Sequence, residues 1–325
     1  MKSFAGKIAV VTGGGTGMGR ELVLQLVQEG CHVAMCDVSE ANMAETASLV
    51  DASAVRLTAH VCDVSDEEQV NGFRDEVAEA HDTDHVHLVF NNAGIGGGGR
   101  FVDGDREEWE RTFAVCWYGV YYGCRAFVPM LVKAEEGHVV NTSSVNGFWA
   151  ALGTGVSHTA YSAAKFAVKG FTEALLTDLR LNAPHVGASV VMPGHIGTSI
   201  AINSSQVLGK HTALELTADE VAEVRQQMEK QGLPVSNLAD DHIREFLHQR
   251  AIDFRDKAPT TAAQAATIIL DGVRENRWRI LVGDDAVRLD ELVREFPEEA
   301  YERSFLEKVW GSGHLQSITQ ATAEE

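Results

Sequence analysis

Short runs of β-branched and other apolar residues alternate along this chain with longer stretches in which apolar positions return every three or four residues. The first run is Lys7-Ile-Ala-Val-Val-Thr12, and a helical pattern through Leu22, Leu24, Leu26 and Val27 follows it. A second strand is predicted at His32–Asp37, a helix over about 41–50, a third strand near 55–61, a helix over about 66–80 and a fourth strand at His87–Asn91. Uninterrupted apolar strands are what a sheet covered on both faces requires, and strand–helix alternation at this spacing predicts a parallel, doubly wound sheet. The expected fold class is therefore α/β, a parallel sheet flanked by helices.

Beyond about residue 198 the pattern turns helical. Thr217-Ala-Asp-Glu is a helix N-terminal signal, and amphipathic helices are predicted near 219–230 and 240–257. A further helix opens with Pro259 at its start, and a final strand is expected at Trp278–Gly283. One domain is thus expected over 1–283, with a helical insertion at about 199–258 after the sixth strand. Residues 284–325 form an acidic helical extension whose last dozen residues read as disordered.

Composition narrows the function classes. With 325 residues, 45% hydrophobic and 23% charged, the chain is long enough for a full core and has no disorder signature. Its net charge of −20, from 27 basic and 47 acidic residues, argues against nucleic acid and anionic membrane surfaces as partners. No apolar run approaches the roughly 18 residues of a membrane span, and a strand pattern begins at once without a signal segment, so a cytoplasmic location is expected. The five cysteines (Cys31, Cys36, Cys62, Cys116, Cys124) lack metal-ligand spacing and read as reduced core residues. His195, His211, His242 and His248 fit no compact ligand set, so no metal is expected.

Three stretches carry chemistry. Gly13 to Gly19 (Gly-Gly-Gly-Thr-Gly-Met-Gly) lie between the first strand and its helix, where helix N-terminal N–H groups can face a phosphate that side chains would block. The second strand ends on Asp37, eighteen residues past Gly19 (37 − 19), where a carboxylate can hold the ribose hydroxyls of NAD and repel the 2′-phosphate of NADP. Tyr161 and Lys165 are four apart on a helical pattern, so both leave one face of one helix. A phenol with a pKa near ~10 needs roughly 4 kcal/mol of help from positive charge to act as a base at neutral pH. Ser144, in the polar turn after the β-rich run Val139-Val-Asn-Thr, can hydrogen-bond a substrate oxygen.

Together these motifs resemble the short-chain dehydrogenase/reductases in the form that carries TGxxxGxG, NNAG, a serine, YxxxK and PGxxxT. They stand here as Thr12-Gly-Gly-Gly-Thr-Gly-Met-Gly19, Asn91-Asn-Ala-Gly94, Ser144, Tyr161 with Lys165, and Pro193-Gly-His-Ile-Gly-Thr198, and the resemblance covers roughly 4–200 and 259–283. It implies a Rossmann-type fold and an NAD-dependent enzyme that interconverts a secondary alcohol and a ketone. By the same resemblance Tyr161 is the acid/base, Lys165 lowers its pKa and binds the nicotinamide ribose, and Ser144, with Ser143 as its rival, holds the substrate oxygen. The cofactor contacts it implies are Gly13, Thr16, Gly17, Met18, Gly19 and Asp37, then Asp63 and Val64 at the adenine, Asn91, Ala93 and Gly94, and Pro193, Ile196 and Thr198 toward the carboxamide. The partners expected are a small alcohol or ketone, bulky or apolar, and further copies of the chain as a homodimer or homotetramer. The alternatives are an NADP-dependent reductase and a non-catalytic dinucleotide-binding or assembly protein.

Two departures from the family pattern stand out. Cys116, in Val115-Cys-Trp-Tyr-Gly119, occupies the place of an asparagine thought to support a proton-relaying water, and a thiol is a poor hydrogen-bonding substitute. The gap of 17 residues between Ser144 and Tyr161 (161 − 144) is longer than usual and holds Phe148 and Trp149, either as a pocket wall or as a surface excursion. The insertion reads as a substrate cover or a dimer contact, and the extension as oligomer packing or part of a neighbour's active site.

Overall fold

The computed structural model describes residues 1–151, 157–230 and 233–311. Its first half runs β1 (Ile8–Thr12), α1 (Gly17–Gln28), β2 (His32–Asp37), α2 (Glu40–Ser48), β3 (Leu57–Val61), α3 (Glu67–His81), β4 (Leu88–Asn91), α4 (Arg106–Phe113), a π-helical turn (Ala114–Tyr118) and α5 (Gly119–Lys133). Then come β5 (Gly137–Thr142), α6 (Thr159–Asn182), β6 (Val186–Pro193), β7 (Ile196–Gly197), α7 (Ile200–Val207), α8 (Ala218–Lys230) and α9 (Asp240–Asp256). β8 (Thr260–Thr261), α10 (Ala262–Arg274), β9 (Arg279–Val282), α11 (Asp284–Glu295) and α12 (Arg303–Gly311) complete the order.

Seven parallel strands form the sheet β3-β2-β1-β4-β5-β6-β9. Successive strand residues face opposite layers. On β1, Val10 joins the core under α3, α5 and α6, while Ala9 and Val11 join the core under α1 and α10; on β4, Val89 and the pair Leu88 and Phe90 divide the same way. Both faces are covered, which explains why the strands read as continuous apolar runs. Short polar side chains start the helices: Ser39, Asp66 and Asp105 accept first-turn N–H groups of α2, α3 and α4. Because β1 is flanked by β2 on one side and β4 on the other, the winding reverses there, and a crevice opens at the strands' carboxyl ends.

The structure differs from the sequence reading at several points. The third strand starts at Leu57 rather than Val55. Pro259 does not open α10: Thr260–Thr261 pairs in parallel with Ile196–Gly197, and Thr261 then caps the helix in a reciprocal arrangement with Gln264. The insertion contains both expected helices, with a small core of Val221, Met228, Val235 and Ile243, and also α7, which the periodicity did not reveal. The extension packs on its own chain. Phe305 lies 5.8 Å from Trp149 between ring centroids, and Trp149 Nε1 donates to Ala300 O at 2.6 Å. Trp149 therefore walls the C-terminal helices rather than a substrate pocket. The rest of that loop, 152–156, and the dozen residues expected to be disordered lie outside the described residues.

Candidate active site

The glycine turn after β1 is shaped by close approach. Gly13 adopts φ +67°, and a Cβ there would sit 2.9 Å from Ala93 Cα. A Cβ on Gly19 would lie 2.0 Å from Gly13 O and 2.6 Å from Asn92 Nδ2. Only hydrogen fits, so β1, the start of α1 and the turn after β4 close on one another and leave an anion-sized cradle. Gly13, Thr16, Gly17 and Met18 line a cleft of about 360 Å³ together with Asp37, Asp63, Val64, Ala93, Gly94 and Thr198. The first turn of α1 carries no acidic residue, so its unpaired N–H groups are free to take a phosphate. A dinucleotide fits this donor set.

At the far wall, Asp37 accepts from Gly15 N (3.1 Å) and Ser39 N (3.0 Å), which fixes its carboxylate at the rim. Arg20, the basic residue nearest in the turn's own helix, is engaged with Gly15 O at 2.8 Å and Glu45 at 2.6 Å. Asp63 accepts from Arg111 at 2.6 Å; burial works to raise its pKa, but hydrogen bonds from Arg111 and Ser65 hold it below the usual carboxylate range. Arg111 lines the cleft and was not legible in the sequence, since it stands 48 residues from Asp63. Thr12 was also missed as a site residue: its hydroxyl accepts from Asn92 N and Ala93 N, both at 3.0 Å, and so sets the turn after β4.

Asn91 is placed differently from what the resemblance implies. Its side chain is 2% exposed, donates to Asn141 Oδ1 at 2.8 Å and to Cys124 Sγ at 3.3 Å, and faces the sheet interior. Asn92 lines the cleft in its place. Pro193 and Ile196 are buried behind the lining, whereas Thr198 packs against Gly17, whose added Cβ would lie 3.2 Å from it.

Behind Gly94, on the wall of the cleft, the three expected chemical groups converge. β5 delivers two serines to a short 3₁₀ turn over Val145–Gly147. Ser143 Oγ donates to Lys165 O at 2.7 Å, so that hydroxyl is committed to the fold, while Ser144 Oγ accepts from Asn146 N at 3.1 Å and retains its own proton to donate. Tyr161 and Lys165 stand on the first turns of α6, whose leading N–H groups at Thr159 and Ala160 are satisfied by Gly99 O and Gly98 O at 3.0 Å. Lys165 is 2% exposed, its Nζ donates to Thr142 O at 2.8 Å, and it lies 5.4 Å from the Tyr161 ring centroid.

Burial pushes the Tyr161 phenol well above its ordinary pKa, Cys116 adds to that, and a hydrogen bond from Ser144 pulls the other way. Burial also lowers Lys165. In the protein alone burial therefore favours the protonated phenol. Cys116 sits on the π-helical turn, a geometry common at functional sites, and its thiol donates to Ile95 O at 3.2 Å. A Cβ on Gly94 would lie 3.6 Å from Lys165 Nζ and 3.8 Å from Cys116 Sγ, so amine and thiol flank that glycine.

α7 lies along the same cleft. Its Ser204 Oγ accepts from Gly96 N at 2.8 Å, its Asn203 reaches Thr16 Oγ1 at 3.3 Å, and Val207 and Leu208 pack against the same core cluster as Tyr161 does. Outside it, a second and larger cavity of about 1230 Å³ runs between Gly98–Asp105 and α8 and α9, with Leu214, Leu216, Val224 and Leu247 among its walls. Phe101 and Val102, 76% and 98% exposed, stand on the loop that borders it. Among the described residues no cluster of histidine, cysteine or carboxylate groups could hold a metal ion, and no helix is long and apolar enough to cross a membrane.

The profile of the family described as short chain dehydrogenase matches residues 7–234. SadH of Mycobacterium tuberculosis, described as an oxidoreductase, is 33% identical over 294 residues, which span 90% of this chain and 92% of that protein. The crystal structure of a short chain dehydrogenase/reductase from Burkholderia phymatum in complex with NAD is similar with 31% identity and a TM-score of 0.73, over 92% of this chain and 96% of that one. A metagenomic short-chain oxidoreductase in complex with NADP is similar with 29% identity and a TM-score of 0.53, over 59% of this chain and 83% of that one.

Proposed function

The chain belongs to the short-chain dehydrogenase family, and from that membership we propose that it interconverts a secondary alcohol and a ketone with NAD as the coenzyme. The observation that carries this reading is the convergence of Ser144, Tyr161 and Lys165 behind Gly94, a residue of the wall of a cleft that also holds the glycine cradle and the rim carboxylate. NAD, when bound, supplies the hydride acceptor. The glycine turn and the start of α1 would hold its pyrophosphate, Asp37 its adenosine ribose, Asp63 and Val64 its adenine, and Thr198 its carboxamide. Lys165 has two ammonium protons left after Thr142 O to hold the remaining ribose.

In the oxidative direction Ser144 donates a hydrogen bond to the substrate oxygen and Tyr161 takes the hydroxyl proton; in the reductive direction the phenol returns it. Burial raises the phenol, so at neutral pH the protonated form that serves ketone reduction dominates, and positive charge brought into the cleft is what makes oxidation accessible. The large outer cavity and the apolar lining from Ile95, Val115, Ile200 and Val207 favour a bulky, apolar substrate. A panel of secondary alcohols and ketones from small aliphatic to steroid-sized and aryl, followed by NADH absorbance, tests the reading. Turnover of at least one member supports it, whereas tight NADH binding with no turnover across the panel would favour a non-catalytic binding protein.

Coenzyme choice rests on Asp37. Its carboxylate is fixed at the rim by two main-chain N–H groups, where a 2′-phosphate would meet like charge. Asp37→Ala is expected to raise the ratio of kcat/KM with NADP to that with NAD by about 10-fold or more, a shift of roughly 1.4 kcal/mol. An unchanged ratio, or a wild type that prefers NADP, would point to an NADP-dependent reductase instead.

Cys116 gives a further test. If the proton relay past Lys165 runs over main-chain carbonyls, the thiol is dispensable, and Cys116→Asn should keep turnover at or above the wild-type rate. Loss of turnover with intact fold and coenzyme binding would assign the thiol a role of its own.

A further inference from the structure

We propose that Asp285, on the first turn of α11, is a positioning residue for the nicotinamide end of the coenzyme, so that the C-terminal extension is part of the coenzyme site. The proposal rests on the dinucleotide reading above and adds a residue outside every motif that carries it. The strip after β6, Gly194-His-Ile-Gly-Thr198, reaches the cleft at Thr198, and on the dinucleotide reading its height there sets the nicotinamide end, yet most of it is irregular backbone. Four ties hold it. Gly194 N donates to Val282 O at 2.9 Å, and Ile196–Gly197 pairs with Thr260–Thr261. The His195 ring lies 4.2 Å from Phe254 between centroids, with Nε2 2.6 Å from Phe254 O. The fourth tie is the carboxylate: His195 N donates to Asp285 Oδ2 at 2.6 Å.

That contact is built from both sides. A Cβ on Gly194 would lie 2.3 Å from each Asp285 oxygen, and one on Gly283 would lie 2.4 Å from Oδ1, so two glycines make room for the carboxylate. Gly283 takes φ +99°, which turns β9 directly into α11 and aims its second residue back at the strip. Asp285 is 2% exposed and its Oδ1 has no hydrogen-bond partner. Burial pushes its carboxyl above the usual range in spite of main-chain hydrogen bonds from His195 and Ala286. For a carboxyl raised in this way the ionised form weakens the fold at neutral pH rather than strengthening it. Stability alone does not account for an acid here; fixing the Gly194–His195 peptide at the head of the strip does.

Calorimetric titration of purified wild type, Asp285→Ala and Asp285→Asn with NAD and, separately, with AMP tests this. AMP fills only the adenosine end, near Asp37 and Asp63, and reports whether the fold and that end are intact. Asp285→Ala should bind NAD at least about 10-fold more weakly while AMP affinity stays within about 2-fold, and Asp285→Asn, which keeps one acceptor for the His195 N–H, should recover part of the loss. Equal losses for NAD and AMP, or no loss for NAD, would overturn the proposal. Should Asp285→Ala fail to fold, Gly194→Ala displaces the same carboxylate from the other side and should give the same selective loss. A wild type that binds AMP but neither NAD nor NADP would instead bring down the dinucleotide reading, and the proposal with it.

Discussion

Replacing Tyr161 by phenylalanine is expected to cut turnover about 10²–10⁴-fold while NADH affinity stays nearly unchanged. The substitution removes one oxygen from a ring that already packs against the core under α5 and α6, so the fold keeps its shape. What disappears is the phenol hydroxyl, the group placed to exchange a proton with a substrate oxygen. Ser144 remains as a hydrogen-bond donor, but an alkyl hydroxyl is too weak an acid to release its proton at neutral pH, and Lys165 stays tied to Thr142 O. The loss should fall on kcat and not on the coenzyme's dissociation constant, and stopped-flow or steady-state rates beside a fluorescence titration with NADH separate the two. Wild-type-like turnover would remove Tyr161 from the acid/base role.

The second large effect is expected at Gly19. A Cβ there would lie 2.0 Å from Gly13 O, a main-chain atom, and 2.6 Å from Asn92 Nδ2. Flexible side chains cannot absorb that overlap, so Gly19→Ala must push α1 away from the turn after β4 and spread the phosphate cradle. Overpacking of this kind costs on the order of 1–3 kcal/mol, and the N–H groups that would meet a pyrophosphate lose their common focus. NAD affinity should fall by about 100-fold, read by calorimetry, with thermal unfolding several degrees lower. A variant that binds NAD like the wild type would show that the cradle is not where the pyrophosphate sits.

What could be read from the chain and what could not divide along a physical line. Strands β1, β2 and β4 were legible because a strand covered on both faces must be apolar at every position, and α6 was legible because Tyr161 and Lys165 recur at one helical turn. The glycine turn was legible because its residues have no alternative at such close approach. Contacts between distant segments left no local trace. Thr12 meets Asn92 across 80 residues, Arg111 meets Asp63 across 48, and His195 meets Asp285 across 90. The extension's docking on Trp149 left no trace for the same reason: Trp149 and Ala300 are 151 residues apart, and an acidic helix with one apolar face carries no label for what it covers. Asn91 shows a subtler limit. Its place at the end of β4 could be read, but which of two neighbouring asparagines turns toward the cleft depends on Asn141 on the adjacent strand, and a single chain's pattern does not report such cross-strand pairs.

The account depends most on where the reacting ring lies relative to one hydroxyl and one amine. A crystal structure with NADH bound tests that directly. The account predicts the nicotinamide carbon that carries the hydride facing the same pocket as the Tyr161 hydroxyl, with Lys165 Nζ within hydrogen-bonding distance of the adjoining ribose. A phenol turned away from the nicotinamide, or an amine still held only by Thr142 O and out of reach of the sugar, would contradict it.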